Sequence, residues 1–314
     1  MKDIRILFLA PHWRVSLLRS FKTSQAIKIF MIGADSDSHS SALNVVDKSY
    51  LIPEFSEPKC VEKIKAICVM ENINVILPMT NKAIEFMDKN RAEFDKDDLL
   101  FYLANHSIIQ ISNDKRRLAN FFAQNSFASP DLIDPKKLFP GFPLIAKEPC
   151  GEGGKNCFKI EDQVELDFYS KKFPNHIFQR FVQGREFSID WFSNKKGVPI
   201  VVVPRERLVT RAGEVMVSRI ELVPDIIESV QRLGAKLQLS GPANFQGFLE
   251  ETGEFLFTDV NLRFGSGVLH TIHAGANIPE MMLQEIAGKM IETKSGFVIN
   301  GSTMSRYHDA IFDY

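Results

Sequence analysis

Residues 241–267 read GPANFQGFLEETGEFLFTDVNLRFGSG, and the alternation of apolar and polar side chains in this stretch decides the fold. Two runs of period two flank Thr252-Gly253, the pattern of a β-hairpin closed by a two-residue turn. That turn pairs Glu251 with Glu254. Counting outward, Phe248 faces Phe257, Gln246 faces Asp259 and Asn244 faces Asn261. Directly opposed residues hold their Cβ atoms roughly 5 Å apart on one face. Gln246, Asp259 and Asn261 therefore converge, while Phe245, Leu249, Leu256 and Val260 take the other face and build a core. A set of oxygen donors without His or Cys favours Mg²⁺ over zinc, with Mn²⁺ as the alternative. Arg263, two residues past Asn261, brings a planar guanidinium suited to phosphate oxygens.

The bulk numbers exclude several classes. At 314 residues the chain can hold two or three lobes with cores of their own. A formal net charge of −1 gives no electrostatic case for nucleic acid or an anionic membrane. No apolar run approaches the roughly 18 residues needed to span a bilayer. The opening MKDIRILFLAPHW lacks a cleavable small-residue signature and fits a buried first strand, so a cytoplasmic setting is expected. Cys60, Cys68, Cys150 and Cys157 lack zinc spacing and read as free thiols.

Residues 1–105 alternate strand and helix patterns. Strands are expected at Ile4–Ala10, Ile27–Ile32, Val75–Pro78 and Leu99–Leu103, with helices at Cys60–Met70 and Lys82–Phe94. Such alternation predicts an open parallel sheet. The first turn, Ala10-Pro11-His12-Trp13-Arg14, has no glycine, which argues against dinucleotide binding. Asp35 and Asp37 read as solvated loop carboxylates, with ligand contact as the alternative.

Three further stretches carry chemistry. Asn113-Asp114-Lys115-Arg116-Arg117 opens a helix, with Asn113 or Asp114 as its N-cap. An apolar strand then delivers Lys147 to a loop containing Gly151, Gly153 and Gly154, whose backbone can approach phosphate oxygens closely. The run from Ile177 to Asp190 is a strand, a turn at Gly184, and a carboxylate, Glu186. A strand at Val201–Val203 leads into Arg205, Arg207, Arg211 and Arg219, either substrate-facing guanidinium groups or a solvated basic loop. Helices are expected over 223–237 and 279–291. His270 and His273 read as packed or hydrogen-bonded residues rather than bases.

In this order the blocks resemble the ATP-grasp superfamily, particularly its carbamoyl-phosphate-synthase-like branch. Asn244-Phe245-Gln246 and Asp259-Val260-Asn261-Leu262-Arg263 are similar to that family's metal hairpin, with Asp259 where Glu is usual and Leu262 in place of Pro. Glu148 stands between the Lys and Pro of the lid pattern, and Gln179 where many relatives carry Glu. The resemblance covers about 280 residues. It implies a mixed α/β and α+β fold. A parallel pre-ATP-grasp lobe (1–105) would precede a two-lobed ATP-grasp domain: a small lobe with a glycine lid (106–177) and a large lobe with the metal hairpin (178–293), then a tail (294–314).

The resemblance also implies site roles. Lys115, Lys147, Gly151, Gly153 and Gly154 would meet ATP phosphates. Gln179, Arg180 and Phe181 would form the adenine hinge, and Glu186 would accept from the ribose. Gln246, Asp259 and Asn261 would hold Mg²⁺, Arg263 and Lys147 would serve the reaction, and Arg205 and Arg207 would face the substrate. The implied activity is an ATP-dependent carboxylate–amine ligase working through an acyl phosphate on small-molecule substrates. A small-molecule phosphotransferase and a non-catalytic nucleotide-binding module are the alternatives. A single unit without glutaminase argues against carbamoyl-phosphate synthesis proper. A homodimer is left open.

Overall fold

The computed structural model of the chain describes residues 3–23, 27–95, 99–137, 141–151, 154, 156–291, 298–307 and 309–312. Its first sheet is parallel. Strands β1 (Ile4–Leu9), β2 (Ile29–Asp35), β3 (Lys48–Leu51), β4 (Val75–Pro78) and β5 (Leu100–Phe101) lie in the order β3-β2-β1-β4-β5. Helices α1 (Val15–Lys22), α2 (Lys59–Met70), α3 (Asn81–Lys89) and α4 (Arg91–Phe94) connect the strands. Alternation along β1 sends Ile6 and Phe8 to Leu18 and Phe21 of α1. Leu7 and Leu9 face Ile64, Ile67 and Met87 of α2 and α3. Burial on both faces explains the continuous apolar runs. Strand β3 was not expected: its KSYL sequence is a mostly exposed edge without a buried alternation to reveal it.

After α5 (His106–Ser112) and α6 (Lys115–Gln124) comes a small antiparallel sheet. It comprises β6 (Leu132–Ile133), β7 (Leu144–Lys147), β8 (Phe158–Ile160) and β9 (Ile177–Arg180) in the order β6-β9-β7-β8. Helix α7 (Gln163–Lys172) packs Leu166 and Tyr169 onto it.

The largest sheet contains β10 (Arg185–Ser193), β11 (Pro199–Arg211), β12 (Glu214–Ile220), β13 (Gly241–Leu249), β14 (Phe255–Asn261) and β15 (Thr303–Ser305). Its order is β14-β13-β10-β11-β12-β15. Strand β11 runs 13 residues, so Arg205, Arg207 and Arg211 lie within it rather than in a basic loop. Helix α8 (Pro224–Lys236) presses Ile226, Val230 and Leu233 against Phe187, Trp191 and Phe245. Helices α9 (Val268–His273) and α10 (Ile278–Ile286) bury Val268, Met282 and Leu283 with Phe8 and Phe21 of the first lobe. Helix α10 stops at Ile286, short of the 291 end that periodicity suggested.

The hairpin corrects its own reading. Asn244 lies opposite Asn261 and Gln246 opposite Asp259, as counted. Beyond Gln246 the register shifts by one. Phe248 faces Leu256 instead of Phe257, and Leu249 faces Phe255. The turn is one residue longer than two, closed by Glu250 N–H donating to Glu254 O at 3.0 Å. A bulge that leaves Thr258 without a cross-strand partner absorbs the extra residue. Phe255 and Phe257 therefore join Phe245 and Val260 in the helix-facing cluster, while Leu256 is buried outside it.

Gly234 of α8 tests how tightly this core is closed. An alanine there gains up to about 1 kcal/mol in helix propensity. Its methyl, however, would sit 2.7 and 2.8 Å from atoms of the buried Trp191 ring. Overpacking of that kind costs about 1–3 kcal/mol and outweighs the gain. Gly234→Ala is expected to lower the urea-unfolding midpoint; an equal or higher midpoint would contradict the packing described.

Candidate active site

Pleating gathers the polar side chains of the large sheet on one face. Glu186, Ser188 and Asp190 of β10 lie opposite Phe248, Gln246 and Asn244 of β13, and Arg205 of β11 lies opposite Ser188. Arg207, Asp259 and Asn261 follow by period two and by hairpin register.

Asp190 forms the floor and is 1% exposed. It accepts from Arg205 Nε (2.7 Å), Arg205 Nη2 (3.1 Å), Asn244 Nδ2 (3.0 Å) and Thr271 Oγ1 (2.5 Å). Gly265 and Gly267 let the following loop lie on this cluster, since a Cβ at either would strike Asn244 or Arg205. Arg205, read as substrate-facing, is fully buried beneath the site. The Arg207 side chain is largely buried at the side of the cleft, its Nε 3.3 Å from Glu186 Oε2 and its Nη2 donating to Gly213 O at 3.0 Å. Burial pushes the Glu186 carboxyl up, with Arg207 opposing. Arg219 lies on the opposite face in an ion network with Glu206 and Glu221, and Arg211 is exposed near the hairpin tip.

At the phosphate end, Asp114 caps α6 by accepting from Arg116 and Arg117 N–H, which presents Lys115 to the cleft. Lys115 Nζ lies 3.5 Å from Asp259 Oδ1 and donates to Gly151 O at 2.6 Å. Burial pushes the Lys147 ammonium down, Asp259 opposes that, and Lys115 adds to it. Arg263 Nε donates to Asn81 Oδ1 at 2.8 Å, and Asn81 Nδ2 reaches Asn261 Oδ1 at 3.5 Å. Asn81 was missed from the sequence. It opens α3 just past the carboxyl end of β4, where open parallel sheets present their ligand loops, and that position was the available signal.

The lid and hinge are partly committed to other contacts. Glu148 Oε1 accepts from Asn156 Nδ2 at 2.7 Å across the lid, and Gly154 takes φ 69°. Gly153 lies outside the described residues. Gln179 donates its amide to Pro130 O at 2.9 Å. Arg180 Nη1 pairs with Glu250 Oε1 at 2.8 Å and ties the small sheet to the β13–β14 hairpin. Lys159 Nζ stands 5.0 Å over the Phe181 ring.

Asp259, Asn261 and Gln246 supply one carboxylate and two amide oxygens. Among the described residues no group of three or more His, Cys, Asp or Glu could hold a metal on its own. The set fits Mg²⁺, which takes few protein ligands and completes its shell with phosphate and water. An ammonium already standing beside Asp259 agrees with a cation being favoured there. Asp35, expected in solvent, is wholly buried, whereas Asp37 is exposed. All four cysteines are free thiols.

The loop over residues 151–154, the β9 end and the acid-amide hairpin are the three stretches in which the resemblance expected a nucleotide site. The family model described as "ATP-grasp in the biosynthetic pathway with Ter operon" matches residues 172–305, and "PylC-like, N-terminal domain" matches residues 6–100. Residues 172–305 thus match an ATP-grasp model, and the chain is similar to ATP-grasp carboxylate–amine ligases of the carbamoyl-phosphate-synthase-like branch. It is 22% identical over 276 residues to a carbamoyl-phosphate synthase of Methanobrevibacter smithii, covering 81% of this chain and 74% of that one. The biotin carboxylase domain of Hydrogenobacter thermophilus 2-oxoglutarate carboxylase, a dimer solved with MgADP and bicarbonate, superposes with a TM-score of 0.73. That match has 16% identity and covers 96% of this chain and 74% of that one. An L-amino acid ligase from Bacillus licheniformis superposes with a TM-score of 0.70 at 18% identity, covering 91% and 74%. Enzymes of this superfamily use ATP and Mg²⁺.

His270, behind the floor, is held by the Ser218 and Ser302 hydroxyls at 2.9 and 3.0 Å, while His273 is exposed. Burial, aided by the charge of Arg205, pushes the His270 imidazolium down to about 4 from the ordinary 6.5. Below pH 6.5 the unfolded chain takes up a proton that the folded one refuses. Stability present above 6.5 is therefore lost as pH falls toward 4, by at most roughly 3 kcal/mol. His270→Gln is expected to flatten this part of the stability–pH curve measured by chemical denaturation. An unchanged slope would show that His270 is not the group responsible.

Proposed function

We propose that the chain activates a small-molecule carboxylate as an acyl phosphate with Mg-ATP and passes the acyl group to an amine. The observation that carries this reading is the hairpin register, which sets Asp259 beside Lys115 and near Lys147 and holds Asn261 to Arg263 through Asn81. Adenine would lie at the hinge, against Phe181 and the Gln179 oxygen, with the Arg180 backbone at its edge. Glu186 Oε1 would accept from the ribose while Oε2 stays with Arg207. Backbone groups of Gly151 and Gly154 would approach the phosphates under the lid, with Gly153 in the same role.

Gln246, Asp259 and Asn261 would hold Mg²⁺, which neutralises phosphate charge when bound. Lys115, Lys147 and Arg263 stabilise the charge that spreads over the γ-phosphoryl group in transfer. A carboxylate oxygen attacks phosphorus as the bond to the ADP oxygen breaks. The amine nitrogen then attacks the acyl carbon, phosphate leaves, and the nitrogen gives up a proton. With Arg205 committed to Asp190, Arg207 is the β11 arginine at hand for the substrate. The four free thiols suit a cytoplasmic setting. No helix among the described residues is long and apolar enough to cross a membrane. The dimeric state of the carboxylase-domain neighbour makes a homodimer the arrangement to test by sedimentation.

A panel of amino acids and small acids with Mg-ATP, read by ADP release and product mass, tests the reading. Asp259→Ala and Arg263→Ala are each expected to lose roughly 100-fold or more in ADP release while remaining folded. A phosphorylated product instead of an amide would make the chain a phosphotransferase. Unchanged turnover in Arg263→Ala would move the phosphate site elsewhere.

A further inference from the structure

Two of the three groups that fit Mg²⁺ are carboxamides, and a carboxamide offers either an oxygen or an NH₂ from the same place. Which of the two faces the cleft is set by neighbours. At Gln246 the large sheet sets it. Asp190 accepts from Asn244 Nδ2 at 3.0 Å, so Asn244 turns Oδ1 the other way, where it accepts from Gln246 Nε2 at 3.4 Å.

At Asn261 the first lobe sets it. Helix α3 opens at Asn81, and its cap residue Thr80 accepts from Ala83 N–H at 3.2 Å. One turn further on, Glu85 accepts from Asn113 Nδ2 at 2.7 Å, beside the Asp114 cap that presents Lys115. Asn81 is thus fixed at a helix start whose side is turned to the cleft. A guanidinium group has donors and no acceptor, so the atom that Asn81 sets 2.8 Å from Arg263 Nε is its oxygen. Its Nδ2 is left to face Asn261 and meets Oδ1 at 3.5 Å. The polarity runs one way, from a donor-only arginine through Asn81 to an Asn261 that must show an oxygen. That oxygen has two lone pairs, and a bond from Asn81 leaves one for a cation.

We propose that Asn81 is a positioning residue for the metal site: by donating to Asn261 Oδ1 it holds that oxygen, rather than the NH₂, toward the cation. This rests on the Mg-nucleotide reading of the cleft and gives the first lobe a part in it. Removing a group that holds a metal's ligand in place costs roughly 10–100-fold in metal affinity. Acting through Asn261, Asn81 matters to nucleotide binding only when metal is present.

ADP titrated by calorimetry into the full chain, with and without Mn²⁺, is the test. ADP lacks the γ-phosphoryl group that Arg263 serves in this reading, and Arg263 keeps its bond to Phe264 O at 3.2 Å when Asn81 is cut back. Asn81→Ala is expected to weaken binding of ADP with Mn²⁺ roughly tenfold and to change metal-free ADP binding by less than about twofold. Asn81→Ser, too short to span both partners, is expected to show the same split, and it decides the matter if Asn81→Ala does not fold. In an Asn261→Ala background, Asn81→Ala is expected to cost less than about twofold further, because the oxygen it aims is gone. Unchanged binding with Mn²⁺ in a folded variant, an equal loss with and without Mn²⁺, or a full second loss in the Asn261→Ala background overturns the assignment. A wild type that binds no ADP in either condition overturns the ligase reading, and this inference with it.

Discussion

One buried carboxylate organises the large sheet. Asp190 collects donors from β11, β13 and α9, and four hydrogen bonds meet the cost of keeping its charge out of water. A buried pair of this kind is worth little relative to apolar packing, but removing one partner costs about 3–5 kcal/mol because the other is stranded. Its value here is positional. Asn244, held by Asp190, accepts from Gln246 Nε2 at 3.4 Å, which leaves the Gln246 oxygen for the cleft. The loop at Gly265 and Gly267 can pass over Arg205 only because neither has a side chain. That loop follows Arg263 and carries the Phe264 carbonyl to which two guanidinium groups bind. The floor thus positions both the Gln246 amide and the loop that follows Arg263.

The hairpin shows a second constraint, in which two local departures cancel. A longer turn alone would have slipped the register by one and put Asp259 out of step with Gln246. The bulge after Gln246 restores the pairing where the chemistry is and leaves the change where only packing is affected. Apolar residues occupy the shifted part, so Phe255 and Phe257 can replace Leu256 in the helix-facing cluster without exposing a charge.

This explains which features were legible in the sequence. Strands buried on both faces announce themselves as apolar runs, and β1 and β4 were found within a residue at either end. The Asp114 cap and the Pro224 helix start follow from local backbone chemistry. Residues 244, 246, 259 and 261 could be paired because period two survives the bulge at that end. What failed was long-range. Arg205 looks like the start of a basic loop until Asp190, 15 residues away, is seen to neutralise it. Asp35 looks solvated until the His12 turn folds onto it. Asn81 has no local signature, and it matters only because β4 ends opposite Arg263. Strand β3 lacks buried alternation because it is an edge.

Charge balance links these parts. Lys115 and Lys147 share one end of the cleft, where Asp259 is paired closely with Lys115. Burial already disfavours the charged form of Lys147, and the neighbouring Lys115 disfavours it further. A polyphosphate entering this end would bring negative charge that opposes both influences. In the proposed reading, nucleotide binding and protonation of Lys147 are therefore coupled in the same direction: each makes the other more favourable.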